Sequence, residues 1–260
     1  MGHLKEMVGA NAAELVVVRH GQTTWNATDR LQGQAESDLS DTGVKQAQAV
    51  ADRLARGAKH ITAVYSSDLK RASETARMIA DKIGCAEVIE MESLRERHLG
   101  KLQGLTRAEA QTAEPEALRA SFSSDMDEPI PGGGESLNQL YARTKAAYED
   151  IALRHLGQRV VVVSHGAVLR ALHVHAKGVQ PASRVRNTSI NVFRITSSRD
   201  WSLRLWGDVE KPVVAGYREA SFKRNLNLTG EHDRFTFKVH HRLNLDSAGI
   251  RRSCMEFHCR

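Results

Sequence analysis

The sequence predicts an α/β protein whose mostly parallel sheet is covered by helices on both faces and finished by an antiparallel edge. Three observations carry this. The runs "ELVVV" (Glu14–Val18) and "RVVVV" (Arg159–Val163) lack polar alternation, as central strands buried on both sides require. Segments with a single apolar helical face separate the apolar runs, the alternation that builds parallel sheets. Near residue 200, "INVFRI" and "WSLRLWG" flank "TSSRD", a hairpin pattern that adds antiparallel strands at one side.

Each element follows from its own signal. After the first strand, Val44, Ala47, Ala51 and Leu54 recur at helical spacing up to Arg56. "ITAVYSS" and "AEVIEM" are shorter strand candidates that sit beside the central pair. Between them, "SDLKRASETARMIADKIG" offers Asp68 as N-cap, an apolar face of Leu69, Ala72, Ala76, Ile79 and Ile83, and Gly84 as its stop. "SLNQLYARTKAAYEDIALRHLG" repeats the pattern through Leu137, Leu140, Tyr141, Thr144, Tyr148 and Ile151, again with a closing glycine. "GAVLRALHVHAKG" is apolar nearly all round and reads as a buried helix. Beyond Gly207 the periodicity fades, with one strand candidate at Phe235–Val239. The expected organisation is a short extension over residues 1–13, a domain over 14–209, and a basic, weakly ordered extension over 210–260.

The chain has 260 residues, 41% hydrophobic and 26% charged, the balance of a folded globular protein. Its net charge of +6 is concentrated in the tail: Lys211–Arg260 holds ten Lys/Arg against five Asp/Glu. A solvated tail is the expectation, and no nucleic-acid partner is expected. Three cysteines make no disulfide framework and no zinc-type spacing. No stretch approaches the roughly 18 apolar residues of a membrane span, the N-terminus has no signal-peptide core, and Glu6 stands where a myristoylation signal needs Ser or Thr. The expected location is the cytosol, with no membrane partner.

The chemistry gathers where strands end. In an open α/β sheet, ligands bind at the carboxyl ends of the parallel strands. Arg19-His20-Gly21 ends one predicted central strand and Ser164-His165-Gly166 the other, so two imidazoles reach one rim of the sheet. Arg71, near the start of the helix after a third strand, adds a second guanidinium. Two arginines and two histidines around one point suit a tetrahedral dianion, because guanidinium forks match phosphate oxygens in pairs. The sequence has no HExxH pair, no carboxylate cluster of metal-binding type and no GxxxxGK[ST] loop. A phosphoryl-transfer site of this kind then relies on protein cations and a side-chain nucleophile. A proton donor for the leaving oxygen is sought in "SLRERHLGKLQG". A glutamate set against a bound phosphate is pushed toward its protonated, donating form, although spacing alone does not separate Glu96 from Glu92.

"RHGQTTWN", "SSDLKRASETA", "LRERHLGKLQG", "GGGES" and "VVVVSHGAVLRAL" occur in an order that resembles the histidine phosphatase superfamily, in its phosphoglycerate-mutase-like branch. The resemblance spans about Glu14 to Val209. It implies a three-layer α/β/α sandwich and a phosphohistidine intermediate. By motif position His20 is the expected nucleophile, Arg19, Arg71 and His165 the phosphate pocket, and Glu96 the acid that protonates the leaving group and then activates water. Thr23, Asn26 and Arg97 are expected substrate contacts. No cofactor and no metal are expected. Rate should fall toward low pH as His20 protonates.

The segment "LTRAEAQTAEPEALRASFSSDMDEPIP" is net acidic, with Arg107 and Arg119 isolated. It lacks the paired arginines that the resemblance leads one to expect of a bisphosphoglycerate-dependent mutase. The expected activity is therefore hydrolysis of a small phosphorylated metabolite, phosphoserine first. The mutase and a catalytically inactive binding protein on the same fold are the alternatives, and a homodimer is the expected assembly.

Overall fold

The computed structural model describes residues 8–57, 60–85 and 87–209, together with strands at 241–245 and 251–255. The chain divides into two compact units, Met1–Pro212 and Val213–Arg260. In the second, β7 (His241–Leu245) and β8 (Arg251–Met255) form an antiparallel pair. The strand expected at Phe235–Val239 lies outside the described residues.

The first unit is built on a six-stranded sheet in the order β3-β2-β4-β1-β5-β6. β1 (Ala12–Arg19), β2 (Ile61–Ser66), β3 (Val88–Glu90) and β4 (Arg159–Ser164) run parallel. β5 (Ile190–Thr196) and β6 (Trp201–Asp208) add the antiparallel edge. The unalternated valines explain themselves in register. On β1, Leu15 and Val17 face one helical layer while Val16 and Val18 face the other, and Val160 to Val163 of β4 divide in the same way. The first layer holds α6 (Leu137–Arg154) and α7 (Gly166–Lys177); the second holds α2 (Asp41–Gly57) and α3 (Lys70–Ile83). Three layers, α/β/α, follow, with both sheet faces buried.

Differences of detail have local causes. Asp68 does not cap α3: its carboxylate accepts from Arg95 Nε at 2.8 Å and Nη2 at 2.6 Å, and Leu69 takes the cap position without a side-chain bond. Gly84, at φ 75°, does stop α3. The buried face of α2 runs through Gly43, Ala47, Val50, Ala51 and Leu54, with Val44 only half-buried. α6 ends at His155 rather than at a glycine. α7 is buried over its first half, at Val168, Leu169, Ala171 and Leu172, and emerges after it. The acidic segment contains α4 (Arg107–Ala113) and α5 (Pro115–Ser121), which close a small separate core of Leu102, Ala110, Ala117 and Ile130. Among the described residues no helix is long and apolar enough to cross a membrane.

Candidate active site

β1 and β4 are neighbours, and their register sets Arg19 opposite Ser164. A histidine follows each, so His20 and His165 leave the sheet side by side, ring centroids 5.2 Å apart. The amide of His20 donates to Ser164 O at 3.0 Å, carrying the ladder one step past the strands. Both imidazoles are buried.

Their hydrogen bonds differ. His20 Nδ1 lies 2.7 Å from Gly21 O. A carbonyl has no proton to give, so this bond requires Nδ1–H and leaves Nε2 with its lone pair in the neutral ring. Burial first, then the charges of Arg71 and Arg19, hold the His20 pKa well below 6.5, so the ring is neutral near pH 7. His165 is shifted the same way, by burial and then by Arg71, His20, Arg19 and Arg143. Neither of its ring nitrogens has a partner among the described residues.

Two guanidiniums are sunk beside the histidines. Arg71, in the first turn of α3 and 1% exposed, donates from Nη1 to Ala35 O at 2.9 Å and from Nη2 to Gly33 O at 2.6 Å. Arg19 donates from Nη1 to Val185 O at 2.6 Å. Burial lowers both, Arg19 to about 10, so each stays cationic at neutral pH. The Nε of each is buried and unpartnered among the described residues. A buried donor left unpaired costs about 1–3 kcal/mol, a cost that an anion in the pocket would relieve.

The loop carrying His20 is locked from behind. Gly21 N donates to Thr75 Oγ1, which donates to Arg71 O, tying the His20 loop to Arg71. Gly43 lets α2 approach this loop: a Cβ there would fall 1.8 Å from Gln22 O.

Glu96 arrives from the loop after β3 and caps α7, where His165, the cap residue, makes no side-chain cap bond. The Glu96 oxygens accept from Ala167 N at 3.1 and 3.2 Å, and Oε1 also accepts from Arg97 N at 2.9 Å. The positive end of the helix thus holds the carboxylate at the pocket. A Cβ on Gly166 would lie 3.7 Å from both Arg19 Nε and Glu96 Oε2, which places carboxylate and guanidinium around one point. Glu92 instead pairs with Arg95.

The remaining expected contacts are placed differently. Thr23 and Asn26 form a reciprocal capping box on the short α1 (Thr24–Ala27), and Thr23 is fully buried. Asn26 Oδ1 also accepts from Asn187 Nδ2, which donates to His20 O at 3.0 Å as well. Arg97 turns away from Glu96: its Nε donates to Glu135 O at 2.9 Å and its Nη1 reaches Ser121 O at 3.5 Å.

Sequence reasoning missed three supports. Asn187 is one. The others are Glu135, in the quoted "GGGES", and Arg143 on α6. Arg143 Nε and Nη2 donate to the two Glu135 oxygens, each at 2.9 Å, while Nη1 donates to Ser93 O and Arg95 O. Glu135 Oε2 also accepts from His98 N. The pair therefore grips the Glu96 loop on both sides of the acid. Among the described residues no group of three or more His, Cys, Asp or Glu could hold a metal ion.

Comparison with known proteins meets this geometry. Residues 15–209 match the family model of the histidine phosphatase superfamily (branch 1). A metal-independent phosphoserine phosphatase of Arabidopsis thaliana is 48% identical over 215 residues, covering 83% of this chain and 90% of that protein. Phosphoglycerate mutase-like protein 4 of the same plant is 48% identical over 211 residues, covering 81% and 91%. Among solved structures, YhfR of Bacillus stearothermophilus superposes with a TM-score of 0.68 at 30% identity, over 76% of this chain and 98% of its own. The order of the motifs, the strand-end histidines and the matched span converge, and the chain belongs to branch 1 of the histidine phosphatase superfamily.

Proposed function

We propose that this histidine phosphatase hydrolyses a small phosphate monoester, phosphoserine first, through a phosphohistidine on His20 and without a metal. The observation that carries the reading is the set of buried nitrogens on Arg19, Arg71 and His165 that have no partner among the described residues, beside an imidazole whose Nδ1 is committed to Gly21 O. A phosphoryl group supplies the missing acceptors and meets the free Nε2.

Two steps follow. His20 Nε2 attacks phosphorus as the ester oxygen leaves, and Glu96 gives that oxygen its proton. The P–O bond breaks as the N–P bond forms, while Arg19, Arg71 and His165 hold the other oxygens. Glu96, now carboxylate, takes a proton from water, whose oxygen displaces His20 and releases inorganic phosphate. Glu96 can serve both steps because its position is fixed by α7 rather than by the substrate.

Phosphoserine is favoured because the relative named a metal-independent phosphoserine phosphatase matches over most of both chains, and because the acidic segment closing the small core lacks paired basic residues. The reading takes the enzyme to be cytosolic, in keeping with three cysteines and no disulfide framework. The test is phosphate release, in EDTA, from phosphoserine, 3-phosphoglycerate and an aryl phosphate. Release from phosphoserine at the highest kcat/KM is expected. Release that needs added metal, or none from phosphoserine, would refute the reading.

A further inference from the structure

The loop before β5 is stitched to the nucleophile and the pocket by its backbone and by Asn187. Val185 O accepts from Arg19 Nη1 at 2.6 Å, Asn187 Nδ2 donates to His20 O, Thr188 N donates to Arg19 O at 2.9 Å and Ser189 O accepts from Arg19 N at 3.4 Å. Next to Val185 on this loop stands Arg184, which is exposed.

Its guanidinium has no acid or hydrogen-bond partner among the described residues. Other cations adjacent in sequence to pocket residues are engaged. Lys70, beside Arg71, pairs with Asp38 at 2.5 Å. Arg95, beside Glu96, pairs with Asp68 at 2.6 Å. Arg186, on the other side of Val185, reaches Gly207 O at 3.5 Å. The positive charge of Arg184 is one of the causes, after burial, that lower the pKa of the buried Arg19. The loop that these bonds hold to the pocket thus carries an exposed guanidinium, without a partner among the described residues, one residue from the carbonyl that binds Arg19.

We infer that Arg184 is a specificity residue, which binds a carboxylate on the leaving group of the phosphate ester. The inference rests on the phosphomonoesterase reading and adds to it the residue that selects a leaving group whose alcohol carries an acid. Arg19 and Arg71, turned inward with Nη atoms bound to carbonyls, serve the phosphoryl group. A second anion a few bonds away needs a second cation outside them, and a guanidinium fits a carboxylate as a fork.

The experiment compares phosphoserine with phosphoethanolamine, which keeps the amine and the ester and lacks the carboxylate, in the full chain and in Arg184→Gln and Arg184→Lys. The wild type should prefer phosphoserine. In Arg184→Gln the kcat/KM ratio of the two esters should fall about two- to fivefold, mainly through KM for phosphoserine, the size expected of a solvent-exposed charge pair. Arg184→Lys should recover part of the ratio. An unchanged ratio in Arg184→Gln would overturn the assignment. A wild type that hydrolyses both esters equally would overturn it too, while leaving the phosphatase chemistry standing. A wild type that hydrolyses neither, nor an aryl phosphate, would sink the phosphatase reading itself.

Discussion

The carboxyl ends of β1 and β4 carry the same dipeptide, His-Gly, at registered positions, yet the two imidazoles are prepared for different work. His20 spends Nδ1 on the carbonyl of its own glycine, which fixes the tautomer and bares Nε2. His165 has both nitrogens unpartnered among the described residues and its following helix turned toward Glu96. Both rings are buried, both are kept neutral by burial and by the same two arginines. One hydrogen bond, not a difference in charge, separates the two rings, and on the proposed reading it marks off nucleophile from phosphate ligand. Two strand ends that share a His-Gly dipeptide can therefore hold their imidazoles in different hydrogen-bonding states.

The comparison breaks first at the histidines themselves. His20→Ala should lower kcat on an aryl phosphate by about four orders of magnitude or more, since the covalent route is gone. His165→Ala should cost about two to three orders, the loss of one pre-placed donor. Steady-state assays of both variants check this, and equal losses would erase the distinction.

A smaller effect should come from the support under Glu96. Glu135→Gln removes the charge that Arg143 grips in two places and that His98 N bonds. The Glu96 loop then loses its anchor, and kcat should fall about tenfold with KM within about twofold. Glu135→Asp, which keeps the charge, should recover part of the rate. A change confined to KM would mean that the pair shapes the mouth rather than positions the acid.

The smallest effect is on stability. Both histidines have folded pKa values depressed below 6.5, so below 6.5 the unfolded chain binds protons that the folded one refuses. Their contribution is fully present above 6.5 and is lost as pH falls from there toward the folded values. The thermal midpoint should drop on acidification through that window, and the drop should shrink in His20→Ala. The same depression moves the acid loss of rate, expected from His20 protonation, to below 6.5. A midpoint that rises on acidification would contradict the burial of neutral rings.

Much of the fold was legible because its central strands, β1 and β4, are buried on both faces. Four successive valines on β4 have no other explanation than apolar layers above and below. The meeting of the two histidines was legible for a related reason: neighbouring parallel strands that both end on His-Gly bring their imidazoles to one rim. What escaped was contact between distant segments. Asp68 looked like a helix cap because its partner, Arg95, is 27 residues away. Arg97 looked like a substrate contact because it adjoins Glu96, while its side chain folds back onto Glu135 O. The acidic segment did carry a readable signal: Thr106 and Glu109 form a reciprocal capping box at the start of α4. Asn187 gave no such sign, since its role exists only once β5 returns beside β1.

The central claim is that His20 Nε2 takes the phosphoryl group. Glu96→Gln should slow hydrolysis of the intermediate more than its formation from an aryl phosphate, whose leaving group needs no proton. Rapid quench of that variant under alkaline conditions, followed by peptide mass spectrometry, would find the label. The account predicts an acid-labile phosphate on the peptide containing His20, attached at Nε2, and none in the Glu96→Gln, His20→Ala double variant. Phosphate on another residue, or turnover with inversion at phosphorus and no trapped intermediate, would contradict it.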